Sequence, residues 1–367
     1  MEDSTIRIYH GLRPIAWLYG LAVRLRNKLF DWGLLRSRSF SVPVICVGNL
    51  AVGGTGKTPH TEYLIALLQR HGLQVATLSR GYKRHSKGYL LADEASDARL
   101  IGDEPFQMKQ KFPNIQVAVD EKRCHGIEEL LKADSPRVDA ILLDDAFQHR
   151  YVKAGLNILL TDYHRLYCDD LLLPAGRLRE PACGKERAQI VIVTKCPHDL
   201  RPTDYDAISH RLQLQPHQQL YFTTFRYGRL YPLYPSRTSN LPVSLEGKQV
   251  VLLTGIASPA PLIQEVERQA ESVTLLTFGD HHDFSEKDLH EMGRLFATLE
   301  EGKRLIVTTE KDAARLRGMV RADDSLAPYI RVLPIEIAFL QEKEELFNQN
   351  IMGYVRTDSR NRSLPEE

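Results

Sequence analysis

Apolar positions along the chain are grouped in two ways. From Val42 onward, continuous runs of β-branched and aliphatic residues recur in VPVICVGN, QVATLSRG, IQVAVD, DAILLDD, LNILLTD and QIVIVTK. They are separated by stretches such as TEYLIALLQRHG, where apolar residues return at helical spacing. A strand buried on both faces shows a continuous run rather than alternation, so this order predicts a mostly parallel sheet covered by helices. Between Leu220 and Val243 the pattern loosens into LYFTTFRYGRLYPLYPSRTSNLPV, rich in Tyr and Pro, which predicts an extended pair of linker strands. A second series follows: KQVVLLTG, a helix near Pro261 to Gln269, SVTLLTFGDHH, a helix from Ser285, RLIVTTEKD and IRVLPIEIAF. The expected division is an amphipathic helix over 1–38, a large sheet domain over 39–218, linker strands over 219–245, a smaller α/β domain over 246–345 and a polar tail over 346–367 that frays in VRTDSRNRSLPEE.

The segment before Val42 mixes Trp17, Leu18, Tyr19, Leu21, Leu25, Leu29 and Trp32 with basic residues. From Arg7 to Arg38 there are seven Lys or Arg against one acid, Asp31, in a chain of formal net charge +1. A basic amphipathic helix of this kind can lie in the headgroup layer of an anionic membrane. It can equally pack on a domain and show its charged face to solvent, and the pattern leaves both readings open. The run Ile15 to Val23 is about half of the ~20 residues that a spanning helix needs, and no secretory signal is visible.

Composition narrows the picture modestly. A length of 367 residues predicts two cores, and a net charge of +1 with 43% hydrophobic residues excludes the basic excess of a nucleic-acid binder. Cys46, Cys124, Cys168, Cys183 and Cys196 are odd in number and contain no CxxC pair, which fits a reducing cytoplasm and suggests neither a disulfide framework nor a zinc knuckle.

The stretch CVGNLAVGGTGKTPH, from Cys46 to His60, carries the first candidate chemistry. Gly53, Gly54, Thr55 and Gly56 let backbone N–H groups turn inward around a phosphate. Lys57 can reach β- and γ-phosphates, Thr58 can ligate Mg²⁺, and Pro59 suits the first turn of the following helix. The usual pattern has glycine where this chain has Ala51, a position that needs a permissive backbone less than those nearest the phosphates. A phosphate loop also needs a magnesium carboxylate at the end of a nearby apolar strand. VDAILLDDAFQHR supplies Asp144 and Asp145 there, and in an extended chain two adjacent acids point to opposite sides. The alternative readings are a ligand-free glycine turn and a solvated acidic turn. The fold expected is α/β: a P-loop NTPase-like, mostly parallel sheet domain plus a second, smaller α/β domain joined by an extended two-stranded linker.

Seven motifs in order, VGNLAVGGTGKTP, SRGY (Ser79 to Tyr82), GDEP (Gly102 to Pro105), DDAFQHR (Asp144 to Arg150), LPAGRLRE (Leu173 to Glu180), FGDHH (Phe278 to His282) and TEKD (Thr309 to Asp312), together resemble the tetraacyldisaccharide 4'-kinase (lipid A 4'-kinase) family. The resemblance runs from near the amino terminus to about Asp312. It departs at Ala146, where the family more often has glycine, which touches backbone freedom and no catalytic side chain. It implies a kinase domain over 39–218 that transfers the ATP γ-phosphate to the 4'-hydroxyl of a membrane-embedded, acylated glucosamine disaccharide, a lipid A precursor. An amphiphilic substrate of the inner leaflet makes the basic leader a membrane dock, and the protein a cytoplasmic one attached peripherally to the inner membrane.

A sugar hydroxyl needs a proton acceptor during transfer. The resemblance implies Asp103 for that role, with His281 in FGDHHDF as its partner; a lone aspartate is otherwise a cap or a solvated charge. Local rules also place His281 in a strand-to-helix turn, before a capping box of Ser285 and Asp288. A metal cluster there would lack a further ligand at helical spacing. By resemblance alone, Tyr82, Arg123, His149, Arg179 and Glu180 line the nucleotide or sugar site, the alternative being structural polar pairing. A GTPase switch is the rival from another class, but VTKCPHDL and TTEKD do not supply its NKxD guanine reader. A soluble small-molecule kinase is the second rival, and it would not need the basic leader.

Overall fold

The computed structural model describes residues 8–132, 136–234, 244–280 and 282–357. Helix α1 (Arg13–Asp31) comes first, with proline in its opening turn. The chain then forms β1 (Val44–Asn49), α2 (Lys57–Arg70), β2 (Val75–Ser79), β3 (Leu90–Leu91), α3 (Ala98–Ile101), α4 (Asp103–Lys111), β4 (Gln116–Val119) and α5 (Arg123–Leu130). Next come β5 (Ala140–Asp144), β6 (Leu156–Asp162), β7 (Ile190–Thr194), α6 (Pro202–Leu212), β8 (Gln219–Tyr227) and β9 (Tyr231–Pro232). The remainder is β10 (Gln249–Thr254), α7 (Ala260–Gln269), β11 (Ser272–Thr277), α8 (Glu286–Ala297), β12 (Arg304–Thr309), α9 (Glu310–Leu316), β13 (Ile330–Leu333), β14 (Ile335–Phe339) and α10 (Glu344–Thr357).

Nine strands form the larger sheet in the order β14-β8-β7-β6-β1-β5-β2-β4-β3. Its pairs are parallel except at the two edges, where β3 and β14 run antiparallel to their neighbours. The expected mostly parallel α/β sheet is therefore present. Alternate residues of each central strand feed opposite layers: Ile45 and Val47 join Leu64, Ile65 and Leu68 of α2 on one face, while Val44 and Cys46 join Ile141, Leu143 and Val191 on the other. The smaller sheet has the order β11-β10-β12-β13-β9, parallel except at β9. The expected capping box is formed, Ser285 N–H donating to Asp288 Oδ2 at 2.8 Å before α8.

Two boundaries and one strand pairing read from the sequence need correction. The segment 219–245 was expected to be linker, yet β8 is a full strand of the larger sheet, parallel to β7, with Tyr221 and Phe222 in the core. The ribbon's second strand is not local either: β14 pairs antiparallel with β8, and β13 with β9, joined by Gly228 N–H donating to Pro334 O at 2.9 Å. One two-stranded ribbon thus passes from sheet to sheet, made of segments about 110 residues apart, which local pattern cannot register. Finally, 346–367 is not all polar tail. Phe347, Ile351, Met352 and Val355 make an apolar stripe on α10 that packs with α2 in the larger core. Part of the expected linker, 235–243, and of the tail, 358–367, lies outside the described residues.

This placement of α10 predicts that Phe347→Ala destabilises the protein by about 3–5 kcal/mol, the cost of truncating a buried phenylalanine. Urea denaturation measures it, and a dispensable tail would leave the midpoint unchanged.

Candidate active site

β1 runs into a loop at its carboxyl end, and α2 opens on the far side. Gly53 and Gly56 take φ values of +110° and +84°, a region that side-chain-bearing residues avoid. At Gly56 a Cβ would also lie 2.9 Å from the ring of Phe225. The loop is held from behind by strand ends. Asn49 Nδ2 donates to Thr55 Oγ1 at 2.8 Å, Thr194 Oγ1 donates to Thr55 O at 2.9 Å, and Lys195 Nζ donates to Gly54 O while pairing with Asp162 at 2.7 Å. His60 closes the first turn of α2. Its Nδ1–H donates to Gly56 O at 2.7 Å, and Nε2 accepts from Thr223 Oγ1 of β8 at 3.0 Å. Backbone N–H groups at such a helix start favour an anion.

Pairing of β1 with β5 sets Val47 opposite Asp144, so the carboxylate emerges beside the loop. Asp144 is 1% exposed and accepts from Thr61 Oγ1 at 3.3 Å. Burial, reinforced by the charge of Glu104, pushes its carboxyl up to about 7 against the opposing effect of Lys57. Asp145 behaves oppositely. Burial raises it, but Lys57 and Arg179 outweigh that and hold it below the usual carboxylate range. Lys57 Nζ is 3.8 Å from Asp145 Oδ1, and Arg179 donates to both carboxylate oxygens at 2.6 and 3.1 Å. The two acids do diverge, though not by strand alternation as the sequence suggested. Asp145 has left the strand with φ +49°, which turns its side chain toward Lys57 and Arg179.

The structure gathers Lys57, Thr58, Asp144, Asp145, Arg179 and Arg123 around one sheet edge. Thr58 lies in the first turn of α2, partly buried. Arg123, buried at the start of α5, donates to Asp120 O at 2.9 Å; burial lowers its pKa while the charges of Asp145 and Asp144 resist. His149 has its pKa lowered to about 4 by burial and then by Arg123, Arg26 and Arg80, so it is neutral near pH 7. Tyr82 is 66% exposed, and its carbonyl passes within 3.1 Å of where a Cβ on Gly102 would sit, so its loop adjoins Asp103. Glu180 belongs to the wall and not to the lining. Its buried carboxylate accepts from Arg187 at 2.8 Å, Gln148 at 2.9 Å and Asn27 of α1 at 3.3 Å, which is the structural pairing alternative.

Asp103 begins α4, and its carboxylate meets Arg315 of α9 at 2.6 Å; its neighbour Glu104 is close enough to Asp144 for its charge to raise that carboxyl. His281 lies outside the described residues. Its neighbour His282 stacks on Phe278 with ring centroids 4.4 Å apart and pairs with Asp288 at 3.0 Å. Among the described residues no group of three or more His, Cys, Asp or Glu is arranged to hold a metal.

Asn49, His60, Thr194, Lys195 and Arg315 are the residues that sequence reasoning missed. Asn49 and His60 lie inside the quoted loop, and Thr194 and Lys195 end a predicted strand at the same sheet edge, so the carboxyl-end rule could have found them. Arg315 carries no local signal.

His60 yields a stability prediction. Burial lowers its pKa from 6.5 to about 4, so between those values the unfolded chain binds the extra proton. Stability from neutral His60 is whole above about pH 6.5 and is lost as pH falls toward 4, about 3 kcal/mol in all. Urea midpoints across this window should fall less steeply in His60→Gln than in the natural protein; equal slopes would contradict the assignment.

Comparison with known proteins identifies the family. The family described as tetraacyldisaccharide-1-P 4'-kinase matches residues 8–354. A tetraacyldisaccharide 4'-kinase of Bacteroides fragilis is 60% identical over 370 residues, covering 100% of this chain and 98% of the relative. One from Bacteroides thetaiotaomicron is 58% identical over 374 residues, with 100% and 98% covered. A crystal structure of LpxK from Aquifex aeolicus, an "apo" form in complex with ATP, superposes with a TM-score of 0.72 at 29% identity, covering 94% of this chain and 98% of that one. With the family match spanning nearly its whole length, the chain belongs to the tetraacyldisaccharide-1-P 4'-kinase family and is a kinase.

Proposed function

We propose that the chain transfers the γ-phosphoryl group of ATP to the 4'-hydroxyl of a tetraacylated glucosamine disaccharide 1-phosphate in lipid A biosynthesis. The observation that carries this reading is the convergence of the Lys57 loop and the Asp144–Asp145 strand end, bridged by the Lys57–Asp145 contact of 3.8 Å. The glycine loop of residues 53–56 and the start of α2 cradle the triphosphate, with Lys57 on the β- and γ-phosphates. Two carboxylates and one hydroxyl are all oxygen donors, which suits Mg²⁺, an ion that uses one or two protein carboxylates and fills its shell with water and phosphate oxygens. Asp144, displaced toward neutrality by burial, is in the state that a nearby divalent charge reverses. Thr58, Asp144 and Asp145 would hold this ion, and it would neutralise charge on the transferring phosphoryl group.

The remaining roles follow position. Arg179 and Arg123 stabilise phosphate oxygens, including the 1-phosphate of the acceptor. Asp103 accepts the proton of the sugar hydroxyl, with His281 orienting it, and Tyr82 on the adjoining loop contacts the sugar. Neutral His149 supports the Arg123 side of the cleft. Asp103 and His281 come from the two sheet units, so transfer follows their closure, which excludes water from ATP.

The acceptor's lipid character is supported by α1. Its apolar residues Ile15, Trp17, Leu18, Leu21 and Leu25 point outward, Trp17 being 62% exposed, while the face against the protein is made of Ala16, Gly20 and Phe30 with the polar Tyr19, Arg26 and Asn27 beside them. Tyr19 donates to Arg179 O at 2.6 Å and Arg26 to Gln148 O at 3.0 Å. A helix that only packs on a domain would not leave so many large apolar side chains in solvent. A groove of about 300 Å³, lined in part by Arg13, Trp17, Arg24, Leu172 and Leu178, lies beside this face. Among the described residues no helix is long and apolar enough to cross a membrane. The chain attaches peripherally to the anionic inner leaflet through α1.

Two outcomes test this. Phosphate transfer from labelled ATP to a detergent-dispersed disaccharide 1-phosphate should exceed transfer to water or soluble sugars, and Lys57→Ala should reduce it about 10²–10³-fold; near-normal turnover in that variant would refute the loop assignment. Changing Trp17 and Leu21 together to Glu should weaken co-sedimentation with anionic vesicles and raise the KM for lipid at an unchanged melting temperature. A soluble kinase would bind no vesicles at either low or high salt.

A further inference from the structure

We infer that Arg315 is a positioning residue for phosphoryl transfer, holding the Asp103 carboxylate from the opposite sheet unit. The inference rests on the reading that Asp103 accepts the acceptor's proton. Helices α4 and α9 pack antiparallel across the junction between the sheets. At one end Lys111, in the last turn of α4, bridges Glu62 of α2 at 2.7 Å and Glu310, the first residue of α9, at 2.8 Å. At the other end the order of charge is inverted: Arg315 of α9 meets Asp103, the first residue of α4.

Arg315 is itself held rigidly. Its side chain is 6% exposed, and Nη1 lies 3.3 Å from Asp312 Oδ1. Asp312 in turn accepts from Gly255 N–H at 2.9 Å, just past the end of β10, and from Thr309 Oγ1 at 2.8 Å. The TEKD motif, Thr309 to Asp312, thereby acquires a purpose that the sequence reading left blank: it builds the seat of the guanidinium. From that seat Nε and Nη2 both donate to one oxygen of Asp103, Oδ2, at 3.0 and 2.6 Å. Two donors of a planar guanidinium converging on one oxygen pin that oxygen in the guanidinium plane, a directional constraint that the point charge of an ammonium does not impose.

The Lys111 junction already ties the two units together, so a second ion pair is not required for docking alone. What the Arg315 contact adds is direction. It sets the orientation of the proton acceptor and makes that orientation depend on the position of the smaller sheet, so Asp103 is aimed when both units are in place.

A mutant cycle tests this with the full chain, reading kcat for transfer to the detergent-dispersed disaccharide 1-phosphate, the KM for ATP and the melting temperature. Arg315→Met should lower kcat at least about tenfold with the KM for ATP within about twofold, and Arg315→Lys should recover part of the loss. In an Asp103→Asn background, Arg315→Met should change kcat by less than about twofold, because the group it positions is gone. A dead Asp103→Asn variant in which Arg315→Met still costs its full factor overturns the inference alone. Asp103→Asn with natural turnover overturns the proton-acceptor reading and the inference together. Should Arg315→Met fail to fold, Arg315→Lys with and without Asp103→Asn closes the same cycle.

Discussion

Parallel pairing of β1 with β5 is the constraint on which the site depends. With Val47 opposite Asp144, both strands end at one edge, and the glycine loop has nowhere to turn except beside the carboxylates. Because the two strands are buried on both faces, a one-residue slip would exchange the side chains of the two packed layers along their whole length and spoil the packing of both. The hydrogen bonds from Asn49 and Thr194 to Thr55 extend that order into the loop. The charges then arrange themselves around a fixed frame: Lys57 and Arg179 keep Asp145 ionised, while Asp144 sinks into the core and is driven toward its neutral form.

Much of this was legible because it is local. Continuous apolar runs announced the parallel strands, and the loop and the two acids carry their chemistry in contiguous letters. What was not legible depends on partners remote in the chain. β14 returns to β8 across an intervening sheet, and Tyr221 and Phe222 of β8 read as a linker until pairing with β7 carries them into the core. The stripe on α10 is short enough to look polar without the groove it fills. Glu180 is a buried brace rather than a lining residue because Arg187, Gln148 and Asn27 converge on it from three segments. Asp145 diverges from Asp144 through a left-handed turn at a non-glycine residue, which no spacing rule anticipates.

The leader helix joins the same electrostatic frame from outside. Its polar face is engaged by the walls of the site, through Tyr19 to the backbone of Arg179 and through Arg150 to Asp31 at 2.7 Å, which leaves the aromatic face outward. Hydrogen bonds together with the small contact residues Ala16 and Gly20 and the single ring of Phe30 orient the helix without consuming its larger apolar side chains. The distance from that surface to the phosphate loop is thereby set by the helix's own attachment.

The ribbon of β8 with β14 and β9 with β13 has a mechanical consequence. A single strand between two bodies is a swivel, free to rotate about its own axis. Two hydrogen-bonded strands crossing side by side, stitched at Gly228 and Pro334, form a strap that resists torsion and sliding but flexes out of its own plane. The ribbon therefore opposes twisting of the smaller sheet against the larger one, and the Lys111 and Arg315 ion pairs between α4 and α9 clamp the two at a second place, so their relative setting is fixed at two points rather than hung from one.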